Sequence, residues 1–198
     1  SAAPAPADHR LVMLAEPDST AADAYRVLRD HLLGKHLPRV VAVSSPQQRD
    51  GKTTCAINLA LALSEQPSTR VLLVDGNFFD PELARIFQME RLPMLSPPEA
   101  EAWLPPYRLA QVSPGLHLVG ILKSEMPRRR FEQHRFEAMI DRLCRANYDY
   151  IVIDAPALQG TPAVVQLIAV ADATLLAVRA GGGTTARELR RAAEQIPK

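Results

Sequence analysis

VVAVSSPQQRDGKTTCAINLA, residues Val40 to Ala60, decides how the rest of the chain is read. It opens on an apolar run rich in β-branched residues and passes through a polar loop. It ends in Gly51-Lys52-Thr53-Thr54, followed by helical periodicity. Strand, phosphate-sized loop and helix, in that order, are what a nucleoside triphosphate site needs. Successive backbone N–H groups of such a loop can wrap a phosphate, and the helix N-terminus adds a favourable dipole. Lys52 can reach the outer phosphates, and the Thr53 hydroxyl is a hard oxygen ligand suited to Mg²⁺. The strict pattern G-x-x-x-x-G-K-[ST] is broken, because Pro46 stands where its first glycine belongs. The flanking strand and helix make GKTT far more specific than a lone GKT.

Outward from this loop, apolar runs predict strands over Arg39–Ser45, Arg70–Val74, Leu116–Leu122, Tyr150–Ile153 and Ala173–Val178. Amphipathic or apolar periodicity predicts helices over Ala21–Leu33, Lys52–Glu65, Arg130–Asn147, Pro162–Val170 and Thr184–Ile196. A short helix is expected from Pro81 to Phe87. Alternating strands and helices give an α/β domain with a mainly parallel sheet flanked by helices. Residues 1–18 read as a flexible linker and 19–198 as the domain. The proline-rich stretch 91–108, with Trp103, reads as an irregular excursion.

The chain has 198 residues, enough for one domain with a substantial core. Its net charge of +1 gives no case for nucleic acid or an anionic membrane. No apolar run reaches the roughly 18 residues of a membrane helix, and the N-terminus lacks the layout of a signal peptide. Cys55 and Cys144 have no metal-ligand spacing, so buried free thiols and a reducing cytoplasm are expected. His31, His36, His117 and His134 show no convergent spacing. Arg128–Arg130 reads as a solvated helix entry.

In parallel α/β sheets, ligands bind beyond the carboxyl ends of the strands. Asp75 follows VLLV directly and Asp154 follows YIVI. Either carboxylate could be a mere turn or cap residue. Together with the loop they gain weight, because Mg²⁺ needs oxygen ligands and phosphoryl transfer to a hydroxyl needs a proton acceptor. Asp75 is the candidate base and Asp154 the candidate metal-organising carboxylate, with Lys52 completing the catalytic set. Thr53, Asp75 and Asp154 are the candidate metal residues. The candidate nucleotide contacts are Gln48, Arg49, Asp50 and Gly51, then Lys52, Thr53 and Thr54, and Asn77. Near the N-terminus, Asp23, Arg26 and Arg29 fall at spacings of three on one helix face; from spacing alone they form a solvated stripe with local ion pairing.

Several separated segments resemble the bacterial tyrosine kinases (BY-kinases) of polysaccharide synthesis and export. Val40–Ala60 resembles their Walker A region. Arg70–Phe87, RVLLVDGNFFDPELARIF, resembles their second phosphate motif, usually apolar-D-x-D-x-R-x-P and then a helix. Tyr148–Ala157, YDYIVIDAPA, resembles their Walker B region, usually ending D-T-P-P. Asp23-Ala-Tyr-Arg26-Val-Leu-Arg29 looks like the family's E-x-x-R-x-x-R element. The likeness spans roughly residues 17–195 and implies a three-layer P-loop NTPase fold. It also implies ATP or ADP with Mg²⁺ as cofactors, tyrosine phosphorylation, and ring-like homo-oligomers assembled through Asp23, Arg26 and Arg29. The implied partner is a membrane-embedded polysaccharide co-polymerase or activator segment, and the implied location is cytoplasmic, at the inner face of the membrane. Partition and division-site ATPases, the wider group, carry a signature lysine five residues before the Walker lysine; here that place holds Gln47. Two departures bear on catalysis. The motif's second Asp is Asn77, which loses the charge, and its Arg is Phe79, which loses the guanidinium. The tyrosine-rich tail is absent and a further strand is expected after the last helix, so the chain is expected to continue past Lys198. The implied activity is either tyrosine autophosphorylation, a catalytically impaired nucleotide-responsive scaffold, or a partition-type ATPase.

Overall fold

A computed structural model describes residues 8–34, 38–95, 109–121, 133–158 and 162–197. The centre is a sheet in which β1 (Val40–Ser44) and β2 (Val71–Asp75) are buried at every position. Parallel strands covered on both faces need such unbroken apolar runs. The strand order is β3-β5-β2-β6-β1-β7, with β3 at Met94–Leu95, β5 at Leu116–Ile121, β6 at Tyr150–Asp154 and β7 at Ala173–Leu176. These pair in parallel, while β4 (Ala110–Ser113) runs antiparallel to β5. The mainly parallel sheet flanked by helices is the one expected.

The pleat divides the core in two. Val40, Ala42, Leu72, Val74, Ile151 and Ile153 point one way. They meet Ile140 and Leu143 of α5 (Gln133–Arg145), Val164 and Leu167 of α6 (Pro162–Ile168), and Ala192 of α7 (Ala186–Ala193). Val41, Val43, Val71, Leu73 and Val152 point the other way. Against them lie α1 (Val12–Ala15), α2 (Thr20–Leu33), α3 (Lys52–Ser64) and α4 (Leu83–Ile86). Ser19 caps α2, its side chain accepting the Ala22 N–H at 3.2 Å. Tyr25, Leu28 and Leu32 pack inward from that helix.

Three features depart from the expectations. Residues 8–18, expected as linker, pack on the domain: Leu11 and Met13 are buried against α3 and the short α1 forms there. The buried Asn58 of α3 fixes this segment, accepting the Met13 N–H at 2.9 Å and donating to the Arg10 carbonyl at 2.7 Å. The strands β3 and β4 are additional, and β4 turns into β5 through Pro114-Gly115. Gly115 has φ +80°, and a Cβ there would lie 2.5 Å from the Thr69 carbonyl oxygen, so only glycine makes this corner. The helices predicted over Pro81–Phe87 and Thr184–Ile196 are shorter, Leu83–Ile86 and Ala186–Ala193. Trp103, His36 and Arg128–Arg130 lie outside the described residues.

What matters for the site is that β6 lies between β2 and β1. Asp154 stands in register with Asp75 on one side and with Val43 on the other. Residues far apart in sequence therefore end on one edge of the sheet.

Candidate functional site

The loop after β1 is built to hold its backbone open. Arg49 and Gly51 both take positive φ, 66° and 93°. Alternating left- and right-handed residues turn successive N–H groups toward one concavity, the form that suits phosphate oxygens. Gly51 then caps α3, whose 13 residues begin at Lys52. Arg49 holds the left-handed conformation that glycine favours.

Side chains fix the loop from behind. Ser45 donates to the Gln47 carbonyl at 2.5 Å. Asp50 accepts the Thr184 hydroxyl at 2.6 Å and the Gln47 N–H at 3.3 Å. The Gln47 amide donates to Glu188 at 2.7 Å. Thr185 closes a capping box with Glu188, so the start of α7 and the loop form one bonded unit. Asp50 thus faces away from the candidate nucleotide cavity and shapes the loop, while Gln48, Arg49, Gly51, Lys52, Thr53 and Thr54 line that cavity. The cavity is open and about 660 Å³ in volume, and Asn77, Phe79, Asp80 and Glu82 form its far wall.

Beneath the loop, the two predicted aspartates meet at the sheet edge. Asp75 accepts the Asn77 N–H through Oδ1 and the Leu83 N–H through Oδ2, both at 3.2 Å. It therefore also caps the turn into α4, the bland role open to it in sequence. Asp154 is fully buried; neither its carboxylate oxygens nor the Thr53 hydroxyl oxygen has a well-formed hydrogen bond among the described residues, although the Thr53 hydroxyl lies near enough to draw the Asp154 carboxyl downward. Burial pushes Asp75 up to about 6. Burial, then the Asp75 charge, pushes Asp154 up to about 7, with the Lys52 charge pulling the other way. Lys52 itself is nearly buried and makes no salt bridge among the described residues.

Buried oxygens without partners are costly unless a cation or donor meets them. Thr53 and Asp154 thus fit Mg²⁺, a hard cation that takes few protein oxygens and keeps water and phosphate for the rest. No cluster of three or more His, Cys, Asp or Glu forms a metal cage among the described residues. Asn77 donates through Nδ2 to the Asp80 carbonyl at 2.7 Å, leaving its Oδ1 as the acceptor on the cavity wall. Phe79 stands 54% exposed there, its ring 4.5 Å from that of Phe78.

Sequence reasoning missed Arg10. It lines the cavity with Lys52 and Phe79, and its guanidinium is held by Asp8 at 2.6 Å and Glu82 at 3.1 Å. An isolated arginine before an unrecognised four-residue helix carried no periodic signal. Elsewhere, the predicted interface residues are joined within the chain. Arg26 bonds Asp23 at 2.9 Å and Glu65 at 2.7 Å, and Arg29 bonds Glu65 at 3.2 Å and the Ala62 carbonyl at 3.0 Å. Beyond the local Asp23–Arg26 pair, the charged stripe fastens α2 to Glu65 and Ala62 at the end of α3. Cys55 and Cys144 are free thiols and only partly buried. Among the described residues no helix is long and apolar enough to cross a membrane.

No protein-family profile matches the chain. The iron-sulfur cluster transfer protein NUBPL of Mus musculus is 27% identical over 144 residues, covering 68% of the chain and 45% of that protein. The chain thus spans less than half the length of this curated relative. The kinase domain of Escherichia coli tyrosine kinase ETK superposes with a TM-score of 0.78 at 18% identity, over 93% of this chain and 73% of that one. The chain has the same fold as that kinase domain. The chimerical protein CapA2B2 agrees with this, at a TM-score of 0.77 and 19% identity over 96% of this chain and 84% of its own. Within this fold, the loop after β1 and the ends of β2 and β6 lie together. The turn after β2 presents Asn77 and Phe79 to the cavity in place of the motif's second acid and arginine.

Proposed function

We propose that the chain binds MgATP in this cavity and transfers its terminal phosphoryl group to a tyrosine hydroxyl, as a regulator of polysaccharide synthesis and export. One observation carries the site: the buried Thr53 and Asp154 oxygens, near each other and without a well-formed hydrogen bond among the described residues, lie under a loop whose N–H groups and Lys52 suit phosphate. Bound Mg²⁺ would supply charge neutralisation at the phosphates. The chain's own residues do the remainder. The loop N–H groups and Lys52 hold the phosphates, Thr53 and Asp154 hold the metal, and Asp75 takes the proton from the acceptor hydroxyl. An Asp75 carboxyl pushed up to about 6 is a better proton acceptor than an ordinary aspartate while still mostly ionised at neutral pH.

The test is ATP-dependent phosphotyrosine on the natural full-length chain with its membrane activator, compared with Lys52→Met and Asp75→Asn. Phosphotyrosine is expected in the parent and absent from both variants. A parent that binds MgATP yet forms no phosphotyrosine refutes transfer and favours a second function, a nucleotide-responsive scaffold. Phe79 motivates that alternative, since an exposed aromatic stands where the motif has a phosphate-binding guanidinium. Self-association through Asp23, Arg26 and Arg29, in a homo-oligomer at the inner face of the membrane, belongs to both proposals. Calorimetry without detectable ATP or ADP binding would remove both.

A further inference from the structure

We infer that Arg10, brought into the cavity by the N-terminal segment, supplies the phosphate-binding guanidinium that Phe79 cannot. The inference rests on the nucleotide-binding proposal above and adds a residue to it.

Arg10 and Phe79 line the same cavity as Lys52. Two anchors aim Arg10 there. Its carbonyl accepts from Asn58 on α3, whose amide also donates to the Thr54 carbonyl at 2.8 Å, so the backbone of residue 10 is pegged to the helix that carries Lys52 and Thr53. The neighbouring Leu11 and the nearby Met13 are buried, which prevents the segment from drifting. Asp8 and Glu82 then hold the side chain. Nε and Nη2 donate to Asp8 at 2.9 and 2.6 Å, and Nη1 donates to Glu82 at 3.1 Å across 72 residues of chain.

An arginine has five N–H donors. These contacts use three, and two remain for a phosphate. Asp8 and Glu82 both hold this guanidinium, Glu82 being shared with Arg85, and a phosphate must displace or share those contacts. Glu82 is thus the competitor and Arg10 the attractor. A purely structural ion pair predicts the opposite pattern, in which losing either partner damages the wall equally.

That difference is the test. The 198-residue chain is titrated with MgATP by calorimetry as wild type, Arg10→Ala, Arg10→Lys, Glu82→Gln, Lys52→Met and the double variant Arg10→Ala/Phe79→Arg; thermal melting without nucleotide monitors folding. Arg10→Ala is expected to weaken MgATP about tenfold, the loss of one charge-assisted bond. Arg10→Lys recovers part of it. Glu82→Gln tightens binding about threefold by removing the competing charge. Phe79→Arg restores affinity in the Arg10→Ala background, although it cannot rebuild the bonds to Asp8. The inference is overturned if Arg10→Ala binds MgATP as tightly as wild type, or if Glu82→Gln weakens binding as much as Arg10→Ala does. With Lys52→Met impaired, either result leaves the nucleotide proposal standing. A wild-type chain that binds no MgATP removes both.

Discussion

Gly51 and Arg49 carry the conformational cost of the loop. At φ 93° a side chain meets no atom within 4 Å, so Gly51→Ala is strained by the backbone alone and is expected to lower stability by about 1 kcal/mol in chemical denaturation. Arg49→Gly relieves a left-handed non-glycine residue but frees the unfolded chain; the two offset, and a change under about 1 kcal/mol is expected. The buried aspartates set the pH response. Asp75 and Asp154 have an ordinary value of 3.8 when unfolded and about 6 and about 7 when folded. Between those limits the native chain binds more protons, so its stability falls as pH rises from about 4 to 7, by several kcal/mol in order of magnitude. Asp154→Asn should flatten its upper part, measured as denaturation midpoint against pH without nucleotide; a slope unchanged by the substitution would refute the assignment. Asp8 and Glu65, held low by their arginines, contribute with the opposite sign at the acid edge of this window and below it. Lys52, Thr53 and both aspartates were legible in the sequence because each directly follows a glycine-led loop or an apolar strand. Arg10 was not, because its placement comes from a buried asparagine 48 residues away.

At the scale of elements, long periodic segments were read well and short ones were not. α2 and α3 combine a cap or loop signal with a full apolar face, whereas α1 has four residues and β3 two. β4 did carry a signal, the Ser113-Pro114-Gly115 turn ahead of an apolar strand. The attachment of α1 to α3 should be testable through Asn58. Asn58→Leu leaves the Met13 N–H and the Arg10 carbonyl without partners in a buried setting, and is expected to cost about 3 kcal/mol. Met13→Ala should cost about 2 kcal/mol through lost burial alone. The α2–α3 clamp is exposed and electrostatic. Glu65→Gln should lower the melting temperature, and the loss should shrink at high salt. If α2 also mediates self-association, Arg26→Ala should lower the sedimentation coefficient in the presence of MgATP; an unchanged assembly would leave the stripe to its role inside the chain.

For the whole molecule, strand order was the part hidden from the sequence. Five apolar runs predict a parallel sheet, yet nothing local says that β6 enters between β1 and β2. That insertion also orders events in time. The loop at residues 45–52 and the strand ending at Asp75 emerge early in synthesis and share α3, but no strand joins them until residues 150–154 follow. Contacts this distant in sequence form late, since the intervening loop must be closed first. A nascent chain halted before Tyr150 should therefore present the glycine-lysine loop without its carboxylate floor. Nucleotide capture then becomes a report on completed folding, with no partially made sheet competing for the cell's ATP.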